Sequence, residues 1–353
     1  MTKRIIYFTL AAYALMVLTM ACGKRQQKNT HSYSFTIDVI NGYTPVKNQG
    51  LGRTCWIYAM LATIETDRIT LGDSVNLSAD YTVRRLMEEQ YNRAVLTGGT
   101  EKVWDSGTAP DLLRLIDLYG AMPFNSYCSS KQTDDSAADS HSLAAKTMAI
   151  ARKAINSKAD PEKYFSLLST LLDSSLGSLP PHVYMLGAQY TPEEFGRSVA
   201  LSSDYEALTS FAHHHYNTYV DLELPDNRHH NMFFNVTLDS LVCRIRQAVT
   251  KGYGVCWEGD ISEPGFSFRQ GVAVMPKDSP TPTDMLRKKE FLCRHTTDDH
   301  CMAIIGMAHD KQGQTFYIMK NSWGRSNAHK GLIYMSEDYL RMKTIAIVTK
   351  RDR

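Results

Sequence analysis

Gln49-Gly50-Leu51-Gly52-Arg53-Thr54-Cys55-Trp56-Ile57-Tyr58-Ala59 is the stretch on which the reading of this chain turns. Its first part belongs to a loop over residues 41–52, rich in Gly and Asn. From Cys55 the pattern changes. Ile57, Met60, Leu61 and Ile64 recur at three- and four-residue spacing, which predicts a helix from Cys55 to Gly72 with Glu65, Asp67 and Arg68 facing outward. A thiol that opens a helix lies at the positive end of its dipole, which favours the nucleophilic thiolate.

A thiolate nucleophile needs an imidazole partner, and Asp299-His300 offers one far downstream. His300 is expected to open a strand. Asn321-Ser322-Trp323-Gly324 follows the next strand, over 316–320, after a turn at 309–314. The spacing predicts His300 and Asn321 side by side on neighbouring strands, with the amide orienting the ring and Trp323 covering their hydrogen bond. Attack on an amide carbonyl creates an oxyanion, for which the Cys55 backbone N–H and the Gln49 side chain are natural donors. Read singly, each part has a bland alternative: a buried thiol, core polar residues, a plain loop glutamine. All four in this order specify acyl transfer through a thioester.

The rest of the chain reads as helices first and strands last, an α+β class with two lobes. Ser78 is expected to cap one helix, Pro110 to begin another and Thr191-Pro192-Glu193-Glu194 to open a third. Residues 143–177 and 238–251 read as helical, and 129–142 as a surface loop. Strands are expected from Val255 onward and around 301–308, 315–320, 331–335 and 343–349.

A formal charge of +2 on 353 residues, with no basic block, argues against nucleic-acid binding. Seven cysteines, at 22, 55, 128, 243, 256, 293 and 301, include no CxxC pair, so a structural zinc site is not expected. With Cys22 and Cys55 set aside, the other five do not form a complete disulfide framework, and most read as buried thiols. His213-His214-His215 and His229-His230 read as surface residues rather than metal ligands; no metal and no cofactor is expected.

Lys3 and Arg4 precede an apolar run over residues 5–20, which fits a secretory signal and is short for a spanning helix. Thr19-Met20-Ala21-Cys22-Gly23 resembles a bacterial lipobox, whose cysteine carries lipid and becomes the mature N-terminus. Ordinary cleavage near Ala21 and an uncleaved anchor are the alternatives. The expected organisation is a signal segment over 1–22, a tether over 23–40 and one enzyme domain over 41–350, with a helical insertion at about 129–250. The expected location is an exported, membrane-anchored lipoprotein facing the periplasm, from the basic Lys24-Arg25 after Cys22.

Gln49 with Cys55-Trp56, Asp299-His300 and Asn321-Ser322-Trp323-Gly324 together resemble the papain-like cysteine peptidases. That resemblance implies a two-lobe fold, with a helical N-terminal lobe and an antiparallel β lobe. It also implies Cys55 as nucleophile, His300 as acid and base, Asn321 as orienter and Gln49 as oxyanion donor. Ser106-Gly107 matches the family's paired glycines that bind substrate backbone, with Ser106 in place of the first. Cys55-Trp56-Ile57-Tyr58-Ala59, Leu118-Tyr119-Gly120-Ala121-Met122-Pro123, Tyr190-Thr191-Pro192-Glu193-Glu194-Phe195 and the stretch from Gly254 to Ile261 are more similar to the bleomycin hydrolase and aminopeptidase C branch. His300 lies 245 positions after Cys55, against about 130–150 in ordinary papain-like enzymes; the insertion accounts for the excess.

The sequence ends on Lys350-Arg351-Asp352-Arg353, and the branch's C-terminal arm, which makes those enzymes aminopeptidases, is expected to be missing. Aminopeptidase and endopeptidase action both stay open, as does the oligomeric state. The expected function is a cysteine peptidase acting on peptides. The competing expectation is a peptide-binding lipoprotein with weak turnover.

Overall fold

The computed structural model describes residues 33–129, 139–158, 160–185 and 187–351. The chain divides into two units, Met1–Ser34 and Phe35–Arg353. The expected signal segment, Cys22 and most of the expected tether lie outside the described residues. So do residues 130–138 of the expected surface loop.

The second unit begins with strand β1 (Phe35–Ile40), followed by helices α1 (Cys55–Thr70), α2 (Ala79–Leu96) and α3 (Ala109–Tyr119). Local chemistry sets these boundaries. The Tyr81 N–H donates to Ser78 Oγ at 3.1 Å, which caps α2. Thr108 and Asp111 form a capping box at the start of α3, with Pro110 in the first turn. Helices α4 (Ser140–Ser157) and α5 (Pro161–Leu176) come next, then the hairpin β2 (Val183–Met185) and β3 (Ala188–Tyr190), then α6 (Pro192–Val199), which Thr191 and Glu194 cap reciprocally.

The remaining elements build the sheet. They are β4 (Tyr205–Thr209), β5 (Thr218–Asp221), β6 (Met232–Asn235), α7 (Leu238–Thr250), β7 (Val255–Gly259), β8 (Phe266–Ser267), β9 (Val272–Ala273) and α8 (Asp284–Leu292). Then follow β10 (His300–Asp310), β11 (Thr315–Lys320), β12 (Leu332–Ser336), α9 (Glu337–Lys343) and β13 (Thr344–Lys350). The sheet runs β5-β6-β4-β13-β7-β10-β11-β12-β9-β8, and β1 adds to β10. β7, β10, β11 and β12 are antiparallel neighbours. One apolar core gathers α1 to α6; a second lies between α7, α9 and the sheet. The fold is α+β, as the order of patterns predicts.

Three expectations change. Glu65 and Asp67 are fully buried rather than outward-facing. Helix α1 is covered along residues 56–67 because the other helices enclose one side and β7 and β10 the other. The end of the expected tether is strand β1, whose Phe35 stacks on Tyr334 with ring centroids 4.1 Å apart. The region expected as a helical insertion also carries β2 to β6. Its β4 pairs with β13, so this segment extends the sheet rather than standing apart from it. Buried Arg287 ties the two together, donating to the carbonyls of Ser210 at 3.2 Å and Met342 at 3.0 Å.

Candidate active site

Cys55 is the first residue of α1, so its backbone N–H has no partner within the helix. The loop before it is clamped by Asp105. That carboxylate accepts from the Arg53 N–H at 2.9 Å and from the Ser140 hydroxyl at 3.0 Å, and the Asp105 carbonyl accepts from the Trp56 indole at 3.1 Å. A Cβ at position 52 would lie 1.6 Å from Ser140 Oγ, so the close pass of this loop requires Gly52.

The opposite wall is sheet. His300 opens β10 and Asn321 follows β11, and the register that pairs Ala303 with Lys320 places them together. His300 Nε2 and Asn321 Oδ1 are 2.7 Å apart, in a buried pair. Because an amide oxygen only accepts, this bond puts the proton on Nε2 and leaves Nδ1 for the thiol. The Ser322 N–H also donates to Asn321 Oδ1, at 2.7 Å, which holds the amide in place. The Trp323 ring lies 4.6 Å from the imidazole, centroid to centroid, and screens the bond from water. Phe266 and Phe268 hold Trp323 in edge contacts.

Gln49 is fixed at both ends. Its side-chain oxygen accepts from Ser322 Oγ at 2.6 Å, and its Nε2 donates to the Gly52 carbonyl at 2.7 Å. An amide nitrogen carries a second N–H. Gln49 lines the same cleft as Cys55 and His300, a space of about 590 Å³ that also takes in Ser106, Gly107, Cys301 and Trp323. Every site residue expected from the sequence within the described residues therefore borders one cleft, apart from Asn321, which stands behind His300.

Cys301 is a participant that the sequence reading left among the buried thiols. Its S–H is hydrogen-bonded to Cys55, and that bond, with the charge and hydrogen bond of His300, holds the Cys55 thiol well below its ordinary value despite burial. The same bond and burial push Cys301 well up, so it stays a thiol. The adjacency of Cys301 to His300 was visible in the sequence; its contact with Cys55 was not.

Acidic groups form the far side of the cleft. Asp226 accepts from Ser106 Oγ at 2.9 Å and from Arg228 at 2.8 Å, and Arg228 also donates to the Ser106 carbonyl at 3.0 Å. The hydroxyl that distinguishes Ser106 from glycine is thus tied to Asp226. Gly107 keeps the close packing expected of it, since a Cβ there would be 3.1 Å from the Trp56 ring. Asp298 lines the cleft too. It is hydrogen-bonded to Glu258 of β7; burial and the charge of Asp226 raise Asp298 to about 7, and burial and the charge of Asp298 push Glu258 well above its ordinary value.

A second polar centre supports the first. Glu65 of α1 accepts from Lys47 Nζ and from the Leu77 N–H, each at 2.7 Å, and lies 3.4 Å from Lys320 Nζ. Burial opposes its charge, but the two lysines hold Glu65 below its ordinary value. Burial lowers Lys320 to about 8. Lys320 immediately precedes Asn321, so this buried cluster ties the nucleophile's helix to the strand that carries the amide.

Outside the cleft, His213, His214 and Glu223 bring three ligand atoms within 4.8 Å of one another. The sequence predicts surface positions for these histidines; His213 and His214 are half-buried on a turn, and Glu223 approaches them at 3.6 and 3.0 Å. The group has the donor set to hold a divalent cation, and it is no part of the cleft.

Residues 183–353 match the model of the Peptidase C1-like family, a span that holds His300 and Asn321 but not Cys55 or Gln49. "Aminopeptidase W" of Lactobacillus delbrueckii subsp. lactis is 23% identical over 92% of this chain and 84% of its own length. The crystal structure of pepW from Lactobacillus rhamnosis HN001 covers 99% of this chain and 92% of its own, at a TM-score of 0.69 and 18% identity, and so shares the fold. Over residues 183–353 the chain is thus similar to the Peptidase C1-like family, and along nearly its whole length it shares the fold of pepW.

Proposed function

We propose that this protein is an aminopeptidase-type cysteine peptidase of the bleomycin hydrolase kind, held at a bacterial membrane by lipid on Cys22. The observation that carries the catalytic part is the alignment of the Cys55 thiol with an imidazole whose other nitrogen is fixed 2.7 Å from Asn321. The Cys55 thiolate attacks the carbonyl carbon of the peptide bond. The oxyanion takes hydrogen bonds from the Cys55 backbone N–H and the Gln49 amide. As the intermediate collapses, the C–N bond breaks and His300 gives its Nδ1 proton to the leaving amine, which leaves a thioester on Cys55. His300 then takes a proton from water, the hydroxide adds to the thioester, and the thiolate departs. Ser106 and Gly107 hold the substrate backbone. No cofactor enters these steps.

Removal of residues from the amino end is supported by the named relative, an aminopeptidase that matches nearly the whole chain. Anchoring and a periplasmic location rest on the sequence around Cys22 alone. A soluble form beginning at residue 23, and its Cys55→Ala variant, would be given a peptide mixture and the cuts read by mass spectrometry. Stepwise loss from free amino ends, absent in the variant, is the expected result. Internal cuts lost with Cys55 would replace the aminopeptidase reading with an endopeptidase. An absence of Cys55-dependent cutting under reducing conditions would leave the peptide-binding lipoprotein. Cys22→Ala in the full chain is expected to move the protein out of the membrane fraction.

A further inference from the structure

Most charged groups at the cleft have a partner. Asp226 has Arg228, and Asp105 has the loop it clamps. Asp298 and Glu258 have only each other. Among the described residues, no lysine or arginine lies within ion-pair distance of either. Glu258 is 2% exposed, and its Oε1 has no hydrogen-bond partner. A buried carboxylate oxygen in that state is costly unless something donates to it.

The backbone register shows where Glu258 points. Glu258 of β7 is opposite Cys301 of β10. Directly opposed residues send their side chains to the same face of a sheet. Cys301 borders the cleft, beside Cys55 and Asp298. Glu258 therefore lies beneath the cleft floor next to the nucleophile, with Asp298 above it. Two carboxyls that share a hydrogen bond hold one proton and one negative charge between them. That leaves a single negative site, short of donors and partly screened from water, a few ångströms from the reacting sulfur.

We propose that Asp298 and Glu258 bind a cationic nitrogen of the substrate, either its free α-ammonium or a lysine or arginine side chain close to the bond to be cut. An ammonium brings several N–H donors and one positive charge, which matches the single charge of the pair that Asp298 presents to the cleft. The pair then sets which peptides enter, while Cys55 and His300 cut them. The inference rests on the peptidase reading and names the substrate class for the same cleft.

The test uses four short peptides that carry either a free or an acetylated amino end and either lysine or norleucine beside the cut bond. They would be assayed with the wild type, Asp298→Asn and Glu258→Gln, and their binding to Cys55→Ala would be measured by calorimetry. The wild type is expected to prefer a cation-bearing peptide to the acetylated norleucine peptide by roughly tenfold or more in kcat/KM. Asp298→Asn is expected to flatten that ratio while still cutting the neutral peptide. Asp298→Ser gives the same reading should Asp298→Asn fold poorly, and Glu258→Gln, which leaves the charge on Asp298, is expected to keep the preference. Preference for the free amino end identifies the α-ammonium; preference for lysine on an acetylated peptide identifies the side chain. Equal use of all four peptides by the wild type, or a preference that survives the Asp298 substitutions, overturns the proposal while leaving the peptidase intact. If no peptide is cut, the proposed function fails, and Cys55→Ala binding still decides: a cation preference in affinity supports the pair's role and its absence overturns it.

Discussion

Glu65 and Glu258 are both buried carboxylates close to the catalytic strands, and they are treated in opposite ways. Glu65 sits between Lys47 and Lys320 and also accepts from the Leu77 N–H. Glu258 faces only another acid, Asp298, and keeps one oxygen unpartnered. The lysines pull Glu65 below its ordinary value, whereas burial pushes Glu258 well above its own. A buried charge that carries its own counter-ions stabilises architecture, here the tie between α1 and the strand that ends at Asn321. One without them waits for a cation from outside.

The largest expected effect comes from removing the satisfied acid. Glu65→Ala leaves buried Lys320 and half-buried Lys47 without their counter-ion and is expected to destabilise the fold by ~3–5 kcal/mol, read by urea unfolding. Glu258→Gln should do the reverse, leaving stability at pH 8 unchanged or higher, because it replaces a carboxyl that burial holds in its protonated form with a neutral amide of the same shape. A large loss of stability in Glu258→Gln would break the contrast.

A pH titration of stability sharpens it next. Asp298 and Asp67, each raised to about 7, and Glu258 hold protons in the folded chain that the unfolded chain has already released. Their contribution is complete below the ordinary carboxylate range; that of Asp298 and Asp67 is lost as pH rises through about 7, and that of Glu258 as pH rises through its own raised value. Glu65, with its lowered value, behaves in the opposite sense: its contribution is present above the ordinary range and is lost as pH falls through its folded value. Thermal melts between acid and neutral pH should therefore show the neutral-side decline reduced in Glu258→Gln and the acid-side loss reduced in Glu65→Gln.

The smallest expected effect lies at the nucleophile. Cys301 is the first cause of the low Cys55 value, ahead of His300. Cys301→Ala should move the alkylation profile of Cys55 to higher pH and slow iodoacetamide severalfold near pH 6, with the fold unchanged. An unaltered profile would assign the thiolate to His300 and the helix start alone.

The catalytic pattern was legible because its parts are local signals. A glycine loop before a helix start, a strand that opens with histidine and a strand followed by Asn-Ser-Trp can each be read from a short window. The helix caps at Ser78, Thr108 and Thr191 are of the same kind. Glu65 and Asp67 were misread for the matching reason. Within α1 they occupy the polar side of an amphipathic pattern, and only the elements packed on that side show that it is interior. Strand β1 was missed because its alternation is short and its partner, β10, lies some 270 positions away.

The sequence alone determined which residues gather at the cleft, since thiol, imidazole and side-chain amides are chemical types in a fixed order. The tertiary structure decided what surrounds them. The Cys301 contact with Cys55, the tie of Ser106 to Asp226 and the meeting of Glu258 with Asp298 join positions separated by 40 to nearly 250 residues. Such meetings depend on strand register and on the closing of the cleft, and no local pattern of residues encodes them.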